Sequence, residues 1–282
     1  MPEPTDRTHK YHSEATILEG NLRLPLVQEI KPQAFAHLHE DGGYKSEHAA
    51  DYKLEGVISF GSAHTQVAGN RSTKTNQGWT TITTTVVEKL NVLEVVTADR
   101  VVGQTITEHP LEGYVPRISF LGTHFENLRI AGHPVNLKLD LNIFGNKPAN
   151  DLAYTKDSGF IDRVSAQHKR VRQHQDLPSE VLARYNQLPS TTETSTATQE
   201  IVECSLVSQA EGPFPGPCFG HVITIPDFGT ITLARVTLTH DFEKGVPKRT
   251  TVRLTMVDLK LGCVIDGDVP IGTGSTNGST HP

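Results

Sequence analysis

Residues 79–109 read WTTITTTVVEKLNVLEVVTADRVVGQTITEH, a run without proline and with one glycine, Gly103. β-Branched side chains at this density lose rotamer freedom in a helix and pack well on a pleated sheet. The stretch is therefore read as two or three strands at the centre of a sheet protein. Thr80, Ile82, Thr84 and Val86 alternate with Thr81, Thr83 and Thr85, so both faces are intermediate in polarity. Such a threonine ladder coats the wet side of a sheet or lies where another layer crosses it. From Leu93 to Val102 the chain is apolar almost throughout, which predicts burial on both faces.

Working outward, Tyr52, Leu54, Gly56, Ile58 and Phe60 share one parity, with Lys53, Glu55 and Ser59 on the other. That is the period of a half-buried strand. Val135, Leu137, Leu139, Leu141 and Ile143 oppose Asn136, Lys138, Asp140 and Asn142, predicting a surface strand over the whole run. The segments Thr230–Phe242 and Thr250–Cys263 flank a turn at 243–249 and read as a hairpin. Each switches phase near its middle, from Ile231 and Leu233 to Val236 and Leu238, and from Leu254 and Met256 to Val257 and Leu259. A one-residue shift inverts every later side chain, so both strands must bulge or bend there.

Helical spacing appears once, through Phe160, Val164, His168 and Val171, with Asp157 or Ser158 as its cap. A short helix follows Pro178, carrying Val181, Leu182, Tyr185 and Leu188, and then a polar linker at 187–199. The expected organisation is a flexible N-terminal arm (1–16), a first β portion (17–156), a helical insertion with its linker (157–199) and a second β portion (200–270). The second portion completes the same sheet domain, and 271–282 is expected to be a disordered tail. The fold class is mainly β, an antiparallel β-sandwich or jelly-roll-like architecture with a small helical insertion.

The 282 residues are 36% hydrophobic and 21% charged, the composition of a folded chain. A net charge of −6 exerts no general pull on nucleic acid or anionic lipid, so no nucleic-acid partner is expected. No apolar run approaches the roughly 20 residues of a transmembrane helix. The start, MPEPTDRTHKYHSE, lacks an apolar signal core. Cys204, Cys218 and Cys263 form neither a disulfide framework nor a zinc spacing. A reducing, cytoplasmic setting is the expectation. Arg163, Lys169, Arg170 and Arg172 gather on the first helix, as a solvated face or a contact to an acidic subunit surface.

Fourteen histidines make a metal the first chemical question. His109 follows Glu108, His124 and Glu126 share a strand face, and His240 precedes Asp241. Asp266 and Asp268 sit in a turn that offers oxygen ligands. The metal candidates are thus His109, His124, His240, Asp266 and Asp268. The catalytic candidates are Glu108, His109, His124 and Glu126, as acid or base in a cleft with Tyr52, Trp79 and Tyr114. Cys218 near His221 has the makings of a nucleophile and base, but nothing marks a third member. Nucleotide-binding glycine loops and a nucleophile elbow are absent, so no cofactor is expected.

The leading functional expectation is a non-catalytic structural or interaction protein. It self-assembles through sheet faces or the arm, with another copy or a protein partner. The alternatives are a small-molecule or carbohydrate-processing enzyme with a His/Glu cleft, or a metal-dependent β-barrel protein.

Overall fold

A computed structural model of the chain describes residues 7–24, 27–54, 56–73, 78–173, 177, 179–186, 188, 198–262 and 265–281. Strands make up 62% of it and helices 10%. The chain opens with β1 (Thr8–Lys10), β2 (Ser13–Leu24), β3 (Gln28–Gln33) and β4 (Ala36–His37). A meander follows: β5 (Gly43–Leu54), β6 (Ile58–Arg71), β7 (Trp79–Val92) and β8 (Val96–His109). Short pieces come next, β9 (Arg117–Ser119), β10 (His124–Glu126), β11 (Arg129–Ile130), β12 (His133–Pro134) and β13 (Asn136–Leu139). After α1 (Ser158–Arg172) and α2 (Ser179–Arg184) come β14 (Gln199–Ser205), β15 (Val207–Glu211), β16 (Cys218–Phe219) and β17 (Val222–Ile225). The chain closes with β18 (Gly229–Glu243), β19 (Val246–Gly262), β20 (Asp266–Thr276) and β21 (Ser279–His281).

Two antiparallel sheets pack face to face. The first runs β12-β11-β8-β7-β6-β5, with β9 and β10 also on β8. The second runs β16-β17-β18-β19-β20-β2-β3, with β14 on β18 and β4 on β2. Strand β2 is thus an interior strand of the sheet built mostly from the C-terminal third, so the two sheets do not coincide with the two β portions of the sequence.

The phase switch expected in the hairpin is present. Pairing of β18 with β19 steps from Leu233–Val257 to Arg235–Thr255, and Ala234 between them takes φ 44°. The irregularity continues across the sheet. Between Thr273 and Ile271 the ladders of β20 with β19 and with β2 both skip Gly272, at φ 65°. A matching seam crosses the other sheet at Asp51 (φ 51°) and Lys89 (φ 54°). Each sheet therefore bends along a line, and every strand crossing it turns its side chains over.

On one side of these seams lies a large apolar core that includes Ile17, Phe60, Val87, Met256 and Ile271. On the other side the sheets meet through hydroxyls. Thr81, Thr83, Thr85, Thr105 and Thr107 are buried against Ser13, Thr273, Ser275 and Thr276. Thr107 and Thr276 hydroxyls lie 3.0 Å apart across this layer, and Ser13 bonds Thr83. The threonine ladder is thus the crossing-layer case. Gly274 permits the close approach, since a Cβ there would lie 2.6 Å from Thr83 Cγ2.

Helix α1 forms where its spacing predicts. Asp157 caps it, its Oδ1 accepting from the Phe160 N–H at 2.7 Å. Phe160, Val164, His168 and Val171 are buried. Gln167 meets the Ser205 backbone at both N–H and C=O, and His168 Nε2 donates to the Glu203 carbonyl at 2.6 Å. The helix therefore satisfies the outer edge of β14. Asp157→Ala is expected to cost about 1 kcal/mol of stability, read from a urea-unfolding midpoint.

Four expectations are corrected. The strand read from Tyr52 to Phe60 is the end of β5 and the start of β6, joined by a turn in which the Val57 N–H donates to the Leu54 carbonyl at 2.7 Å, so Tyr52 and Phe60 face each other across the pair. Of the strand read over Val135–Ile143, only Asn136–Leu139 is extended. Asp140 Oδ1 accepts from the Asn142 N–H at 3.1 Å, a local turn that competes with the ladder and sends Ile143 and Phe144 into the core. The tail read as disordered from 271 is strand: Ile271–Thr276 continue β20, and Ser279–His281 form β21. Composition registers small polar residues, whereas here their smallness lets a backbone lie between two others. Within the arm read over 1–16, Thr8–Lys10 pair with Ser279–His281, and Ser13 begins β2. Residues 1–6, Cys263 and nearly all of the expected linker at 187–199 lie outside the described residues.

Candidate functional site

The residues singled out from the sequence occupy separate places. Glu108 is exposed beside Arg117, Nη1 to Oε2 3.4 Å. His124 and Glu126 share a face as their spacing requires and pair with each other at 3.0 Å on the surface. His240 is buried with both nitrogens used: Nε2 accepts from the Tyr154 N–H at 3.1 Å, so Nδ1 donates to Thr250 Oγ1 at 3.0 Å. Asp266 and Asp268 each lie 2.8 Å from Arg23. Tyr52 stacks on Phe60. Cys218 is half-buried against the carbonyls of Ala210 and Gly220, and burial raises the pKa of its thiol. His221 turns away from it toward the Tyr185 hydroxyl, 2.7 Å distant. Among the described residues no group of three or more His, Cys, Asp or Glu is placed to hold a metal ion.

Two of the residues do come together. Trp79 and His109 are direct cross-strand neighbours on β7 and β8. The third member, His9, lies in the segment read as an arm. Its ring stacks on Trp79 (centroids 5.1 Å, planes 14° apart) and meets His109 at 4.6 Å and Tyr11 edge-on at 4.7 Å. Strand β1 carries His9 and pairs with β21, which brings Thr280 Oγ1 to 3.1 Å from His9 Nδ1. Gly278 crosses above, where a Cβ would lie 2.5 Å from His9 Nε2. His9 Nε2 and both nitrogens of His109 are buried with no hydrogen-bond partner. Burial, then His281, lowers the His9 pKa to about 4. Burial, then His9 and Lys147, lowers that of His109 to about 3. Both rings are neutral at pH 7.

Thr280 also lines an open cleft of about 540 Å³, together with Tyr114, Asp241, Glu243, Lys248, Arg249, Ser279 and His281. Lys248 Nζ sits 4.1 Å over the Tyr114 ring and Arg249 pairs with Asp241 at 2.7 Å. The cleft and the histidine pair are thus separated by one strand, β21.

A second cluster was not assembled by sequence reasoning. Arg235 on β18 reaches Glu203 on β14 (3.5 Å) and Asp258 on β19 (3.2 Å), while Arg184 of α2 binds Asp258 at 3.0 Å. Tyr185, His168 and His221 pack beside it. Burial raises the pKa of Glu203 despite the two arginines. Burial also lowers His168, and it takes His221 to about 3. The available signal was a charge set directly between apolar residues in each strand, Glu203 in VECSL, Arg235 in LARVTL and Asp258 in MVDLKL. Strand pairing is what turns three isolated charges into one network.

No curated protein and no solved structure matches the chain. One family model matches residues 9–239, a span that takes in the sheet of β5 to β8, the second sheet apart from β19, β20 and the end of β18, the helical insertion, the histidine pair and the Glu203–Arg235 ion pair. On that match the chain belongs to the family described as Domain of unknown function (DUF8256).

Proposed function

We propose that the protein is a non-catalytic β-sandwich that associates with a second copy of itself through the edge of β5. The observation that carries this reading is the strand itself. β5 runs for twelve residues, Gly43–Leu54, mostly exposed, and among the described residues its outer edge pairs with no other strand. Unpaired edge amides and carbonyls are a template for strand addition.

The flat part precedes the bend at Asp51. An antiparallel copy centred on Ser46 sets Lys45 of each chain opposite Glu47 of the other, so charges match along Gly43–Ala49. Lys45 and Glu47 already sit 2.8 Å apart on one face, which leaves them placed to share charge across the pair. The separation of Glu108, His124, Glu126 and His240 into sites with partners of their own supports a non-catalytic role.

Size-exclusion chromatography with light scattering, with elemental analysis of the same peak, tests this. The expected peak has the mass of two copies. Proline substituted separately at Ser46 and Glu47 removes an outward amide in one case, and that variant is expected to be monomeric with an unchanged far-UV spectrum. A wild-type monomer at every concentration, or a monomer carrying stoichiometric metal, would overturn the proposal.

A further inference from the structure

We propose that β1 and β21 form an acid-released clasp over Trp79 and His109, with His9 as its latch. The clasp is a ladder of three residue pairs, Thr8–His281, His9–Thr280 and Lys10–Ser279, whereas β2 behind it is held along one edge by β20 and along the other by β3 and β4. It is a short element that can part without disturbing the sheets.

Its underside has no provision for positive charge. His9 lies between Trp79 and His109, and the three nitrogens of this pair without partners offer a protonated ring no acceptor. Thr280, which hydrogen-bonds His9 Nδ1, is neutral. From β21 comes His281, and from the loop after β13 comes Lys147, which also pairs with Asp151 at 3.6 Å. Tyr11 follows on from β1 and is itself influenced by Arg71, while β7 contributes only Trp79. The charges that bear on the rings among the described residues are thus cationic.

A proton on His9 in this buried space meets no carboxylate to offset its charge, and lifting β1 returns the ring to water. The same movement frees Ser279, Thr280 and His281, which form a wall of the Tyr114–Lys248 cleft. Acid therefore opens the cleft and uncovers Trp79 together.

The chain has a single tryptophan, so Trp79 reports on the clasp directly. The test follows its emission wavelength and acrylamide quenching on the full chain from pH 7.5 to 3.5, with far-UV circular dichroism in parallel. The expected result is a red shift and freer quenching with a midpoint between about 4, the value His9 holds in place, and the 6.5 of a free imidazole, while the circular dichroism changes only at lower pH. His9→Phe keeps a stacked ring and is expected to move the midpoint down by about one pH unit or more. His109→Gln removes the second imidazole that lifting β1 uncovers to protonation and is expected to shift it the same way. A Trp79 transition that coincides with loss of the β spectrum overturns the clasp, and so does one at the same pH in both variants. If neither variant folds, the wild-type comparison of the two signals still decides.

Discussion

Arg235→Met is expected to lower the unfolding free energy by about 3 kcal/mol, the lower part of the range for breaking a buried ion pair. Arg235 is the only described cation that bridges the two carboxylates, Glu203 at 3.5 Å and Asp258 at 3.2 Å. Its side chain is 18% exposed, and those of Glu203 and Asp258 are 19% and 12% exposed, so solvent screens them only in part. Arg184 stays on Asp258, and the loss therefore falls on Glu203, whose Oε2 is already buried without a partner. The energetics are asymmetric: assembling the network gains little over an apolar cluster, but removing one partner strands a charge. Glu203→Gln in the Arg235→Met background is accordingly expected to recover most of the loss. Urea unfolding of the four members of this double-mutant cycle measures it. A single-variant cost below about 0.5 kcal/mol would place the network among solvent-screened surface pairs and remove its structural role.

The second large effect is acid lability of the whole fold. His221 and His240 are buried, and burial lowers their pKa values to about 3 and about 4. For His240, Glu200 and Asp241 act in the opposite direction and do not offset it. The unfolded chain binds protons near pH 6.5, while the folded chain resists them until pH 4 or below. Stability is therefore present in full above pH 6.5 and falls as pH drops through the window from 6.5 toward 4 and 3. At pH 5 each of these histidines costs on the order of 2 kcal/mol, a large share of a typical domain's 5–15 kcal/mol. Urea midpoints at pH 7 and pH 5 give the slope. His221→Gln keeps a polar partner for the Tyr185 hydroxyl and is expected to lose about 2 kcal/mol less than wild type between the two. Equal losses in the two proteins would show that His221 does not set the acid limb.

Much of the architecture was legible residue by residue. The β-branched density of 79–109 placed β7 and β8 inside a sheet, whereas the period-two run from Tyr52 to Phe60, read as one strand, is a hairpin corner that joins β5 to β6. The parity change after Leu233 and at Met256 located the bend, and the skipped pair in the structure is Ala234 with Met256. The spacing of Phe160, Val164, His168 and Val171 identified the buried face of α1, with Asp157 as its cap. These features are local: a bulge, a cap or an amphipathic face leaves its imprint within a dozen residues.

The candidate sites were only half legible. Trp79 and His109 were named from the sequence, but His9 was read as part of a loose arm, and Glu203, Arg235 and Asp258 were not grouped. Alternation over Val135–Ile143 was persuasive yet extended only to Leu139, because the side chain of Asp140 supplied a local turn of comparable strength.

The sequence by itself determined the central elements: that 79–109 forms strands, where α1 lies and which face it buries, and where two strands must change phase. Side-chain sterics and hydrophobic period act between near neighbours, so the chain carries that information directly. Only the tertiary structure decided which strands lie beside one another, and with that the clasp of Thr8–Lys10 against Ser279–His281 and the meeting of Glu203, Arg235 and Asp258. Those contacts join residues up to 273 positions apart, Thr8 to His281, and no property of a short window records them. Burial then changes what the same side chains do, because a histidine in water titrates near pH 6.5, whereas His109 between two sheets stays neutral down to about pH 3.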